Sequence, residues 1–227
     1  LREADARGEH VGGIAFQETW LLGDDALDIE GYEWYGRNRS EARSTPDAPH
    51  GSAGVGWLLC KELVKNGNVK VTRPTYGDCE GLVIVTLRKE NKIVTLINAY
   101  RELKRDEFVI DDEAFIKGVL GELEAARDAP SNEKIEKFTY LLCDANIRVG
   151  TLRDGDGDYR GGESTNSGPL ARTFVRAISE AGAAIVHGRL CQFGYTFEPV
   201  GQKRRSVCDY VITDDLGSVI EAGVCDR

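Results

Sequence analysis

The chain has 227 residues, 41% hydrophobic and 30% charged, with 29 Lys+Arg against 38 Asp+Glu for a formal charge of −9. That balance suits one soluble globular domain over residues 1–227 and excludes a disordered or collagen-like chain. The charge argues against a large nonspecific nucleic-acid surface, and no apolar run reaches the roughly 18 residues of a membrane span.

In chain order, Val11 to Trp20 reads as a strand carrying an isolated acid, Glu18, near its end. In layered α/β proteins that is where ligand-binding groups sit, although a residue capping the next turn would look the same. Residues 36–54 are rich in Gly, Ser, Arg and Pro and read as a loop, with Gly54-x-Gly56 marking a tight start to the next strand rather than a dinucleotide motif. Val55 to Cys60, Gly81 to Leu87 and Lys92 to Tyr100 are predicted strands. The last two are joined by a hairpin loop at Arg88 to Asn91, so the middle of the chain is expected to be antiparallel. Asp111 to Arg127 has a helical apolar period with Asp111 or Asp112 as N-cap.

Tyr140 to Cys143 is a short apolar run leading into Asp144-Ala145-Asn146. In an extended chain, side chains two apart share a face, so Asp144 and Asn146 suit joint action on one small object; they equally suit the start of a turn. Asp154, Asp156 and Asp158 imitate a calcium loop, but Tyr159 and Thr165 stand where Gly and Glu are required. A second helix is predicted over Pro169 to Ala181, and further strands over 183–186, 195–197 and 207–212.

Six cysteines without CxxC spacing read as reduced packing residues, which favours an intracellular setting, nuclear or cytoplasmic, over a secreted one. Arg37-Asn38-Arg39, Arg101 to Arg105 and Lys203-Arg204-Arg205 are basic patches, read first as solvated loops. With three histidines far apart in sequence, no histidine-based metal site or triad is signalled.

Glu18, Asp144 and Asp209 each sit in or at the end of an apolar strand-like run, far apart in sequence. If they converge, their repulsion requires a divalent cation or a shared proton network. Oxygen donors without His or Cys point to Mg²⁺ or Mn²⁺, and hence to metal-assisted hydrolysis of a phosphate ester.

The ordered set Gln17-Glu18-Thr19, Asn98-Ala99-Tyr100, Asp144-Ala145-Asn146, Asn166-Ser167-Gly168, Tyr195-Thr196-Phe197 and Ser206 to Val211 resembles the endonuclease/exonuclease/phosphatase superfamily of deoxyribonuclease I and the AP endonucleases. Within it, the sequence is most similar to the endonuclease domains of non-LTR retrotransposon polyproteins. The resemblance implies a four-layer α/β/β/α sandwich of two mixed sheets flanked by helices, and a nuclease acting on nucleic acid, most naturally DNA. It gives Glu18 the metal, Asp144 the attacking water, and Asn146 and Tyr100 the phosphate. Asp209 takes the orienting of a histidine, while Asn98, Asn166 and Thr196 take substrate contacts.

There are departures. Cys143 replaces a Gly, Glu102 stands where a Pro is usual, and the superfamily's opening Asn strand and closing Ser-Asp-His strand have no match. The segment Glu221 to Arg227 resembles the approach to that closing motif. A chain that starts at Leu1 and contains no Met is therefore expected to be a piece lacking its first and last strands, with little or no turnover as it stands. Two other readings fit the same scaffold: a phosphatase or phosphodiesterase acting on nucleotides, RNA ends or phosphoinositides, and a noncatalytic nucleic-acid-binding remnant.

Overall fold

The computed structural model describes residues 11–39, 53–75, 80–101, 112–128, 135–150, 170–186 and 207–219. Within them, β1 (Gly13–Gln17), β2 (Tyr32–Arg37) and β3 (Val55–Cys60) form a small antiparallel sheet in the order β1-β3-β2. The strands β4 (Asn68–Thr72), β5 (Leu82–Lys89), β6 (Lys92–Tyr100), β7 (Glu136–Asp144), β8 (Ala184–Ile185) and β9 (Asp209–Thr213) form a mixed sheet ordered β4-β5-β6-β7-β9-β8. Only β6 and β7 run parallel in it, joined by the crossover helix α2 (Asp112–Asp128). The other helices are the short α1 (Lys61–Asn66) and α3 (Ala171–Glu180).

The apolar runs of β5 to β7 are continuous because both faces are covered. Leu82, Ile84, Ile97, Ala99, Leu141 and Cys143 pack against α2 and α3, whose buried stripes carry Phe115, Val119, Phe174 and Ile178. The alternate residues Val83, Val85 and Tyr100 face the small sheet and meet Val55, Trp57 and Leu59. Two stacked sheets flanked by helices are thus present as expected, as is the β5–β6 hairpin. Cys60, Cys143 and Cys208 are buried free thiols, in keeping with packing roles.

Some elements were not foreseen. Residues Tyr32–Arg37 form the edge strand β2, and Lys61–Thr72 hold α1 and the edge strand β4, where no element was predicted. The calcium-like loop at Asp154 to Asp158, the strand at 195–197 and the patch at Lys203 to Arg205 lie outside the described residues.

Between the sheets, one polar group interrupts the apolar packing. Asn98, 0% exposed, donates from Nδ2 to the carbonyls of Phe16 (2.9 Å) and Gly56 (2.8 Å) and accepts from Gln17 Nε2 (2.5 Å). One amide on β6 therefore fixes β1 and β3 over the larger sheet. Replacing Asn98 by Ala leaves the buried Gly56 carbonyl and the half-buried Phe16 carbonyl without this donor. The expected cost is about 3 kcal/mol, read as a lower urea midpoint with an unchanged slope.

Candidate active site

The parallel pairing of β6 with β7 and the antiparallel pairing of β7 with β9 put Tyr100, Asp144 and Asp209 directly opposite one another. Paired residues share a face, so the three form one row across the larger sheet. Tyr100 and Leu142 lie on the side that faces the small sheet, and Asp144, two residues after Leu142, lies on the same side. From the small sheet β1 ends at Gln17, and the next residue, Glu18, accepts a hydrogen bond from Tyr100 Oη at 2.7 Å. Strand alternation and register thus bring Glu18, Tyr100, Asp144 and Asp209 to the same end of both sheets.

Tyr100 is held from behind. Tyr100 N–H donates to the carbonyl of Gly81, and a Cβ added at Gly81 would lie 2.0 Å from the Tyr100 carbonyl oxygen, so only glycine permits this approach. Glu18 and Asn146 are non-glycine residues with positive φ (50° and 48°), a strained state that persists where the surroundings enforce it.

At Asp144 the structure has the turn that the sequence allowed. The strand β7 ends at Asp144 and Asn146 follows in the left-handed region (φ 48°), so the extended spacing that would put the two side chains on one face stops at Asp144. The Asn146 N–H donates to Asp144 Oδ1 at 3.1 Å, an Asx-type turn, and the Asp144 carboxylate itself sits in the row with Tyr100 and Asp209. Asn146 Nδ2 donates to the Arg101 carbonyl at 2.7 Å. Burial pushes the Asp144 carboxyl up to about 7, and the charges of Asp209 and then Glu18 push the same way; the Asn146 N–H and the Arg101 charge oppose them.

Arg101 was not singled out as a site residue. The expectation of a solvated basic loop fails at this position, because Arg101 is 8% exposed. Its Nη1 donates to the carbonyls of Ala145 and Asn146, both at 3.2 Å, and its Nε and Nη2 reach Asp112 Oδ1 at 3.0 and 2.9 Å. A guanidinium at the end of β6 thus clamps the turn after β7 to the start of α2. The only trace of this in the sequence is a charge directly following a buried strand. Asn98, expected to meet substrate, has its amide engaged between the sheets. Asn166 and Thr196 lie outside the described residues, as do all three histidines.

The donor set suits a hard divalent cation. Three carboxylates sit close enough for Asp209 and Glu18 to disfavour the charge on Asp144, and the guanidinium of Arg101 is already bonded to Asp112 and two carbonyls. Among the described residues no three His, Cys, Asp or Glu side chains are placed to cage a metal. The fit is therefore to an ion held through one or two carboxylates, with water and substrate completing its shell.

No family model matches the sequence, and no curated protein matches it. Solved structures do. The chain is similar to the 3'-5' exonuclease NExo from Neisseria meningitidis, with a TM-score of 0.57 at 13% identity over 93% of this chain and 79% of that one. It is similar to the endonuclease domain of TRAS1, a telomere-specific non-LTR retrotransposon, with a TM-score of 0.50 at 13% identity over 93% and 75%. The human Nocturnin catalytic domain gives a TM-score of 0.51 at 13% identity over 94% and 72%. The chain has the deoxyribonuclease I-like fold of the endonuclease/exonuclease/phosphatase proteins.

The raised Asp144 pKa gives a stability test. Between the ordinary value of 3.8 and about 7 the folded state holds a proton that the unfolded chain releases, so stability falls as pH rises through that window. Asp144→Asn keeps an acceptor for the Asn146 N–H and carries no charge. It is expected to be more stable than the parent at pH 8, on the order of 2 kcal/mol, and to lose that advantage by pH 4, measured by thermal melting across pH.

Proposed function

We propose that the protein is a divalent-metal-dependent phosphodiester hydrolase, and specifically a DNA-nicking endonuclease domain of the retrotransposon type. The observation that carries this reading is the row of Tyr100, Asp144 and Asp209 facing Glu18, with the Asp144 carboxyl lifted to about 7. A carboxylate with a pKa near neutral is matched to taking a proton from water.

In this reading Asp144 accepts the proton of the water that attacks phosphorus in line with the leaving oxygen. Asp209, by its charge, keeps Asp144 a stronger base than an isolated carboxylate. Asn146 exchanges its bond to the Arg101 carbonyl for a non-bridging phosphate oxygen, and Arg101 fixes the turn from which Asn146 acts. Tyr100 orients the Glu18 carboxylate. Glu18 would hold Mg²⁺ or Mn²⁺, which when bound neutralises charge on the phosphate as the oxygen leaves. Asn166 and Thr196 would contact the nucleic-acid backbone. Asn98 serves the site by fixing the sheets and is not assigned a substrate contact.

A small phosphate ester is the second reading, favoured by the net charge of −9. Among the described residues no helix is long and apolar enough to cross a membrane.

Nicking of supercoiled plasmid by the intact protein tests the proposal. Mg²⁺-dependent nicking is expected, reduced about 10²- to 10⁴-fold by Asp144→Asn and losing its response to Mg²⁺ in Glu18→Gln. Hydrolysis of a soluble phosphate monoester with no nicking would move the assignment to the second reading. Nicking unchanged by Asp144→Asn would remove the site from the chemistry.

A further inference from the structure

Two residues beyond Glu18, Trp20 is 52% exposed, one of two large hydrophobic side chains exposed among the described residues. The other, Leu63, lies on α1 at the opposite end of the sheets. Trp57 is buried with its N–H on the Val83 carbonyl, and Trp34 packs edge-on to Phe16. Trp20 has no such partner among the described residues.

Its backbone is held in an unfavourable state. Trp20 has φ +54°, a clear outlier for a bulky side chain, and Glu18 has φ +50°. The segment is fixed by Thr19 N–H to the Gly54 carbonyl (3.3 Å) and Trp20 N–H to the Ala53 carbonyl (2.9 Å). Gly54 itself has φ +91°, and a Cβ there would meet Thr19 Oγ1 at 2.3 Å, so the two loops are fitted to one another. The fold therefore spends conformational strain to hold a half-exposed indole two residues from Glu18, with no ring or hydrogen-bond partner for it among the described residues.

We propose that Trp20 is a stacking platform for a nucleobase next to the scissile phosphate. This deepens the phosphodiesterase reading and rests on it. Two residues span at most about 7 Å, comparable to two stacked base steps of 3.4 Å, so the indole is within reach of a base flanking a phosphate at Glu18. Charge points the same way. A chain of net charge −9 is poorly equipped to track many phosphates, whereas stacking on a base face needs no positive charge. Inside a closed duplex the base faces are covered by their neighbours, so the platform selects an unpaired, terminal or opened base.

The test is binding of the intact protein to a fluorescent single-stranded oligonucleotide in EDTA, which separates it from turnover. Trp20→Ala and Trp20→Leu are expected to weaken binding about tenfold, while Trp20→Phe, which keeps an aromatic face, stays within about threefold. Melting curves of Trp20→Phe should be unchanged, which separates a loss of stacking from a loss of fold. One abasic position in the oligonucleotide should weaken the parent but not Trp20→Ala. Equal affinity of the parent and Trp20→Ala, or no binding by the parent, overturns the proposal. Loss of Mg²⁺-dependent nicking with the Trp20 dependence of binding intact would instead overturn the hydrolase reading and leave the platform standing.

Discussion

Two sheets must be locked in one register before this site exists, and a buried amide does the locking. Asn98 reaches across the apolar interface to Phe16 and Gly56 and receives Gln17, so its three bonds join one strand of the larger sheet to two strands of the smaller. Glu18 directly follows Gln17, and Tyr100 lies two residues beyond Asn98 on the same face. The Tyr100–Glu18 bond is thus a consequence of the tie, and a slip of one residue on either sheet would turn Asn98 or Tyr100 to the helical face. Full burial raises the cost of any alternative, since an Asn out of register would be an unsatisfied polar group in an apolar layer.

On that frame the site stores electrostatic tension. Asp144 and Asp209 face each other across a strand pair, and Glu18 comes from the other sheet, so burial first and then these two charges disfavour the charge on Asp144. The Arg101 charge opposes them, yet its bonds run to Asp112 and to the carbonyls of residues 145 and 146. It shapes the turn more than it neutralises the acids. What remains is an Asp144 carboxyl whose proton affinity is raised, in a cluster that would gain from a cation.

Legibility in the sequence follows the physics of each residue. Glu18, Asp144 and Asp209 stand out because a charge at the end of an apolar run is costly unless used; pairing puts Asp144 and Asp209 in one row, and Glu18 meets that row from the other sheet through Tyr100. The inner strands β5 to β7 were legible because burial on both faces leaves an unbroken apolar run. The edge strands were not: β4 alternates Val69 and Val71 with exposed Asn68, Lys70 and Thr72, and β2 mixes aromatics with Glu33, Gly36 and Arg37 at intermediate burial throughout. The roles of Arg101 and Asn98 in the fold are hidden in the sequence for a different reason. Their partners are carbonyls and carboxylates 11 to 82 residues away, and a hydrogen bond to backbone leaves no mark in the identity of the residue that accepts it.

If Asp209 and Glu18 act on Asp144 as one electrostatic unit, ¹³C NMR titration of the Asp144 carboxyl in the parent, in Asp209→Asn and in Glu18→Gln gives a midpoint of about 7 in the parent that moves down in both variants. A midpoint near the ordinary 3.8, unmoved by either substitution, would contradict it.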